Sequence, residues 1–244
     1  MRAQIRAELL KIRSTRTTLG LLLGMVGLIL LVALLTGLLS KTPSLLGADN
    51  QRNMLSLGST AGIFSALSGV LLITSEYRYG TIRPTYLFTP KRQNVLASKL
   101  AAGAIAGLIF GVIGEGLGFG IGEIILVARG IPLSLGGASL TLLLLGTLAT
   151  TTLWGVIGVG LGAIVRNQVG SIIALLAWGL VVDNLLFGLV PAVGRFMPTY
   201  AEDAFLGLTT NHLLSPTAGA ITLVGWAVLL ALVALPLVSR RDVT

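Results

Sequence analysis

Six apolar runs, each long enough to cross a lipid bilayer, set the strongest limit on how this chain can fold. They lie at about residues 19–39, 55–75, 100–128, 139–165, 169–190 and 218–238. A hydrocarbon core of about 30 Å takes roughly 20 helical residues to cross. We therefore predict an all-α, polytopic membrane protein with six transmembrane helices.

The composition agrees with this class, since 54% of the residues are hydrophobic, 11% are charged and the mean hydropathy is +0.93. Short links between the runs leave no room for a second domain, so residues 1–244 are expected to form one transmembrane domain. The 32 glycines allow helix backbones to approach closely. A glycine seam recurs along the third run, facing either this chain or a second copy: Gly103, Gly107, Gly111, Gly114, Gly118 and Gly122.

Lysines and arginines predict the topology, because cytoplasmic loops carry an excess of them. With the N-terminus inside, thirteen of the 17 basic residues fall in inner segments and four in outer loops. We expect a multi-pass protein of the plasma membrane with both termini in the cytoplasm. This bias explains the net charge of +8, and the chain has no basic patch with stacking aromatics of the kind that binds nucleic acid.

Residues 1–18 place Ile5, Leu9 and Ile12 on one helical face, with most of the arginines elsewhere. A basic amphipathic helix of this kind lies in the membrane interface with its arginines toward anionic headgroups. The same residues are also compatible with a plain charge cluster that only sets topology.

The one long polar passage, "SEYRYGTIRPTYLFTPKRQNVLASK" at residues 75–99, falls between the second and third runs. Thr81 is suited to cap a short helix whose first turn tolerates Pro84. Such a helix would display an apolar tip of Tyr86, Leu87 and Phe88, and Thr89-Pro90 would then start the next helix. Either the membrane surface or another protein must cover this tip.

This passage resembles the cytoplasmic loop of type-2 permeases of ATP-binding-cassette (ABC) exporters, and the N-terminal "AELLKIRSTRTT" is similar to the way they begin. The resemblance in spacing and topology covers essentially the whole chain. It rests on an acidic-aromatic-basic turn, a Gly-Thr, a Thr-Pro and later basic residues. The matching residues are Glu76, Tyr77, Arg78, Tyr79, Gly80, Thr81, Leu87, Thr89, Pro90, Arg92, Leu96 and Lys99.

The resemblance implies the type-2 ABC exporter permease fold, with an N-terminal interfacial amphipathic helix and a coupling loop over residues 76–99. The ATPase-coupling residues would be Glu76, Tyr77, Arg78, Gly80, Thr81, Tyr86, Leu87, Phe88, Pro90 and Arg92. The implied partners are two copies of an ABC ATPase, a second permease chain (the same or different) and the lipid bilayer. This chain lacks G-x-x-x-x-G-K-[ST], so it would bind no cofactor, and ATP and Mg²⁺ would be used by the ATPase.

Three carboxylates lie in or near the apolar runs, and an ionisable group at membrane depth indicates function by default. Their positions along the helices put Glu115 and Asp183 at similar depths in the outer half of the bilayer. Either residue could line an exit path for a cationic substrate, or be protonated or paired within the bundle. Glu123 is expected at the outer rim.

The last outer loop, about residues 191–217, is long, and "TYAEDAFLGL" could form a short re-entrant helix at the external gate. His212 is the only histidine and no cysteine occurs, so no metal site is indicated. The leading alternative to the exporter is a proton-coupled secondary transporter that uses Glu115 and Asp183 as relays. An intramembrane enzyme is disfavoured because no HExxH or G-x-S-x-G motif occurs.

Overall fold

The computed structural model describes residues 2–40, 42–88 and 91–240, apart from the side chains of Ser44 and Arg240. These residues form helices and no β-strand. The helices are α1 (Arg2–Ser14), α2 (Arg16–Leu39), α3 (Ala48–Leu55), α4 (Ala61–Arg78), α5 (Ile82–Phe88), α6 (Arg92–Ala128), α7 (Gly137–Val165), α8 (Gln168–Ala177), α9 (Asp183–Leu189), α10 (Pro191–Gly194), α11 (Pro198–Phe205) and α12 (Pro216–Arg240).

In the part of the chain that the structure describes, six helical segments are long and apolar enough to span a membrane, which confirms the predicted number. The first is α2, the third is α6, the fourth is α7 and the sixth is α12. The second comprises α3 and α4, joined by a 3₁₀ turn over Ser56–Thr60. The fifth comprises α8 and α9, joined by a π-helical turn over Trp178–Val182.

The interruption of the second span follows from a close approach to α6. A Cβ atom at Gly58, in the 3₁₀ turn, would collide with Glu115 of α6. The turn can therefore press against α6 only because this residue has no side chain. The second span begins with α3, several residues before the apolar run that predicted it.

Helices α4, α6 and α7 form the centre of the bundle, and the glycine seam of α6 lies inside it. Gly103 and Gly107 face α7 at Gly155 and Thr151, while Gly118 faces Gly58. The seam therefore packs within this chain, which was the first of the two predicted alternatives.

Helices α2, α8, α9 and α12 form the periphery and keep broad apolar faces exposed. Helices α10 and α11 occupy the predicted outer loop, and α11 folds back against α12. Ala201 of α11 is fully buried in a cluster that includes Trp154 of α7. The helix expected in "TYAEDAFLGL" is thus present and packed into the bundle.

Candidate coupling site

The amphipathic N-terminal segment is one helix followed by a break, and the break places α1 across the ends of α4 and α6. Thr15 is extended (φ −90°, ψ 132°), so α1 ends at Ser14 and α2 begins at Arg16. The helix predicted over residues 1–18 is therefore shorter than expected. Leu9 and Ile12 pack against a cluster that includes Leu72. The apolar face of α1 thus contacts this chain's own bundle, and its predicted position in the membrane interface stays a prediction.

Four charged side chains from three helices meet beneath α1. Lys99 of α6 lies 3.0 Å from Glu8 of α1 and 2.9 Å from Glu76 of α4, measured from ammonium nitrogen to carboxylate oxygen. Lys11 lies 3.1 Å from Glu8 and 2.5 Å from Glu76. We call this group, Glu8, Lys11, Glu76 and Lys99, the ionic clasp. It ties α1 to the second and third spans.

The ionic clasp is stabilised by the groups that surround the buried Lys99 ammonium. The side chain is fully buried, and its ammonium donates hydrogen bonds to the Glu8 carboxylate at 3.0 Å and to the Leu72 carbonyl oxygen at 3.1 Å. The ammonium therefore has two hydrogen-bond acceptors, and the Glu76 carboxylate at 2.9 Å adds a second negative charge beside it. A buried lysine is tolerated only with such compensation, because an unpaired buried charge is strongly destabilising.

The two lysines balance the two glutamates, so the ionic clasp carries no formal net charge. Partial burial lowers the pKa of Lys11, but its hydrogen bond to Glu76 and the charges of both glutamates outweigh burial and raise the pKa overall. Lys11 consequently stays protonated at physiological pH. One carboxylate oxygen of Glu76, Oε2, is buried without a hydrogen-bond partner.

The predicted coupling residues lie in two places. One is the end of α4 together with the start of α6, which we call the base, and the other is the projecting helix α5. Glu76, Tyr77 and Arg78 belong to the last turn of α4, and α6 begins at Arg92, so the segment outside the spans is shorter than residues 76–99. The guanidinium of Arg166 lies 5.5 Å from the centre of the Tyr77 ring. The base is therefore helical and packed.

The link to α5 begins at Gly80, whose φ of +69° is the left-handed conformation that glycine adopts without strain. Thr81 directly precedes α5, as predicted for a cap, and its carbonyl accepts a hydrogen bond from the Thr85 hydroxyl at 3.0 Å. Ile82 is buried and anchors the start of α5.

The apolar tip of α5 is exposed at two of its three predicted residues. Leu87 is 82% exposed and Phe88 is 90% exposed. Tyr86 instead packs back on the cluster around α4 and α6, and the Arg92 guanidinium lies 5.1 Å from its ring centre. Pro90 lies outside the residues that the structure describes. The exposed tip is thus the pair Leu87 and Phe88, held on an anchored helix.

The intramembrane carboxylates lie against different elements. Glu115 is 4% exposed, and neither of its buried carboxylate oxygens has a hydrogen-bond partner among the described residues. Asp183 is buried and accepts a hydrogen bond at 3.0 Å from the amide of Thr199, in the first turn of α11. Asp183 therefore supports α11, as the bundle-pairing alternative expected. Glu123 is exposed.

Glu202 is a buried carboxylate that our sequence analysis did not single out. It accepts a 2.7 Å hydrogen bond from the indole of Trp154, while its other oxygen has no partner. Glu8 was missed too, although its spacing from Ile5, Leu9 and Ile12 puts it in the middle of the apolar stripe. A charge at such a position indicates a buried partner.

Within the described ranges, no group of three or more histidine, aspartate or glutamate side chains could hold a metal ion. No protein-family model matches the sequence. No curated protein matches it either. The functional argument therefore rests on the geometry of the site and on the residues quoted above.

Proposed function

We propose that this chain is the transmembrane permease subunit of an ATP-driven exporter of the type-2 ABC class. The observation that carries the proposal is the tip of α5, where Leu87 and Phe88 are displayed at the end of the bundle rich in basic residues. Isolated exposed apolar residues are common, but two adjacent large ones on a short anchored helix suit insertion into a partner's groove.

The ionic clasp supports this proposal because it joins the base of the α5 segment to the spans. A partner that pushes on α5 would move the end of α4 and the start of α6, and the clasp would carry that movement into α1. A loose surface loop could not transmit force in this way. The geometry therefore suits a segment through which an external motor protein moves the membrane helices.

The motor would be a separate ABC ATPase, present in two copies, that uses ATP and Mg²⁺. A second permease chain, identical or different, would complete the unit by contacting exposed apolar faces of the peripheral spans. Both termini would lie in the cytoplasm of a multi-pass plasma-membrane protein. The apolar spans suit drug-like, peptide or lipid-like cargo for efflux.

A proton-coupled secondary transporter is the second candidate, and the unpartnered carboxylate of Glu115 is the observation that favours it. Such a transporter would work without an ATPase and would have no use for the exposed tip of α5. The requirement for ATP and a partner chain therefore separates the two candidates.

The test of the exporter proposal is copurification of the ATPase with tip variants. Leu87→Asp and Phe88→Asp would each place a charge in a desolvated contact, costing about 2 kcal/mol of binding or more, a loss of roughly 30-fold. We expect loss of the ATPase from the purified complex while the melting temperature of the permease is unchanged. Gln93→Asp is the matched control, because Gln93 is exposed in the first turn of α6, where an acidic residue is tolerated.

Two results would oppose the proposal. If both tip variants retain the ATPase as fully as Gln93→Asp does, the tip is not the docking element. If they lose membrane insertion or stability while partner binding is intact, the tip is an interfacial anchor.

A further inference from the structure

A cavity of about 300 Å³ lies where the break between α1 and α2 faces α4 and the start of α8. The polar residues that line it include Lys11, Arg16, Ser68 and Ser75. Its apolar wall includes Leu21. The cavity therefore combines cationic groups, hydroxyl donors and an apolar side.

The hydroxyl of Ser68 indicates that the cavity is built for a ligand. Ser68 is 5% exposed and lines the cavity, yet its hydroxyl has no hydrogen-bond partner within the described part of the chain. Other buried hydroxyls of this helix do bond to backbone carbonyls: Ser65 donates to Thr151 of α7, and Thr74 donates to Val70 of α4 itself. A buried, unpaired hydroxyl directed into a cavity is satisfied when a ligand accepts its proton.

The N-terminus of α2 adds further donors at the same place. Thr15 precedes α2 without capping it through its side chain, so the first amides of this 24-residue helix lack that acceptor. The positive end of the helix dipole favours an anion here. Donors thus reach the cavity from α1, α2 and α4.

The charges around the cavity also favour an anion. Glu8 and Glu76 are already balanced by Lys11 and Lys99 in the ionic clasp. Arg16 has no carboxylate partner among the described residues. Arg78 bonds to Gln168 at 3.3 Å, and Gln168 lines the cavity, so a second positive charge lies beside it.

We propose that this cavity binds the phosphate headgroup of an anionic phospholipid. Arg16 and Ser68 donate to the phosphate, and one acyl chain lies along Leu21 and Leu71. Basic pockets between transmembrane helices on the cytoplasmic side are suited to such headgroups, and the basic residues assign this end of the bundle to that side. The proposal does not depend on an ATPase partner.

Native mass spectrometry of the delipidated protein in a neutral detergent tests the proposal. The probes are phosphatidylglycerol, phosphatidylcholine with the same acyl chains, and inorganic phosphate. We expect saturable binding of phosphatidylglycerol that becomes about tenfold weaker in Arg16→Gln, the loss expected for one hydrogen bond to a charged group. Ser68→Ala should weaken binding in the same direction.

Arg13→Gln is the matched control, since Arg13 is exposed on α1 and does not line the cavity. It removes the same charge and should change the affinity by less than about twofold, because no anionic membrane surface is present. The melting temperature of each variant without lipid checks that it folds.

Equal weakening by Arg13→Gln and Arg16→Gln would overturn the proposal, because it would show diffuse attraction to the basic end of the bundle. Equal affinity for phosphatidylcholine would also overturn it. Competition by inorganic phosphate at the concentration at which phosphatidylglycerol binds would assign the cavity to a free anion and refute the lipid.

Discussion

Lys99 carries its charge at a site that water does not reach, and the two carboxylates beside it are almost as buried. In such a site, removing one charge leaves its partners without compensation, which costs far more than the intact pair contributes. The ionic clasp therefore acts as a fixed joint between α1, α4 and α6.

Replacing Lys99 tests this joint. Lys99→Met keeps a similar chain length but leaves Glu8 and Glu76 with only Lys11, so we expect destabilisation by about 3–5 kcal/mol. Lys91→Met is the control, because Lys91 is exposed just before α6 and its loss should have little effect. Thermal unfolding in detergent measures both, and similar melting temperatures for the two variants would contradict the clasp.

The pH dependence of stability tests whether Glu202 is protonated in the folded protein. Burial raises the pKa of Glu202 to about 8 and that of its neighbour Asp203 to about 6. Between the unfolded and folded pKa values the folded protein holds a proton that the unfolded chain lacks, so its stability falls as the pH rises. Above about pH 6 Asp203 has passed its folded pKa, so between pH 6 and pH 8 Glu202 contributes to this fall and Asp203 does not.

The variant Glu202→Gln cannot ionise and keeps an oxygen for the Trp154 indole, so we expect a flatter decline of the melting temperature between pH 6 and pH 8. Asp49→Asn, at an exposed position, should retain the wild-type decline. An unchanged slope in Glu202→Gln would show that Glu202 is already ionised in the folded protein.

At the scale of elements, the contacts between spans depend on glycines at helix crossings. A Cβ atom at Gly158 of α7 would collide with the Ala66 carbonyl of α4, whereas one at Gly116 of α6 meets open space. Helices α4 and α7 therefore pack backbone against backbone.

We expect Gly158→Ala to destabilise the bundle by about 1–3 kcal/mol through overpacking. Gly116→Ala is the matched control and should be neutral or slightly stabilising, because alanine favours the helix. The melting temperatures of the two variants in detergent test this difference in stability. Equal values would mean that α4 and α7 are not in backbone contact.

The sequence predicts the spans and the short helix α5 well, because the six long apolar runs and the Gly-Thr before Pro84 are local signals. It does not predict the ionic clasp, since Glu8, Glu76 and Lys99 are far apart in the chain and only the tertiary fold brings them together. The break at Thr15 has no glycine or proline to mark it. The interruption of the second span depends on how Gly58 meets α6, which is again a contact between distant residues.

At the scale of the whole molecule, the features form a continuous series of packed contacts. The exposed tip of α5 is followed by the packed base of α4 and α6, then by the ionic clasp and the glycine-lined centre of the bundle. In our proposal an ATPase acts on this series of contacts from its cytoplasmic end, and the helices that line the centre carry the movement toward α11 on the other side.

Photo-crosslinking from the tip of α5 tests this account most directly. A photoreactive phenylalanine analogue replaces Phe88 in the intact membrane, and the same analogue at the exposed position Ile124, at the far end of α6, is the control. We predict that position 88, and not position 124, crosslinks to a protein that mass spectrometry identifies as an ATPase with a G-x-x-x-x-G-K-[ST] loop. Crosslinks from position 88 to lipid alone, in cells that transport the cargo, would contradict the account.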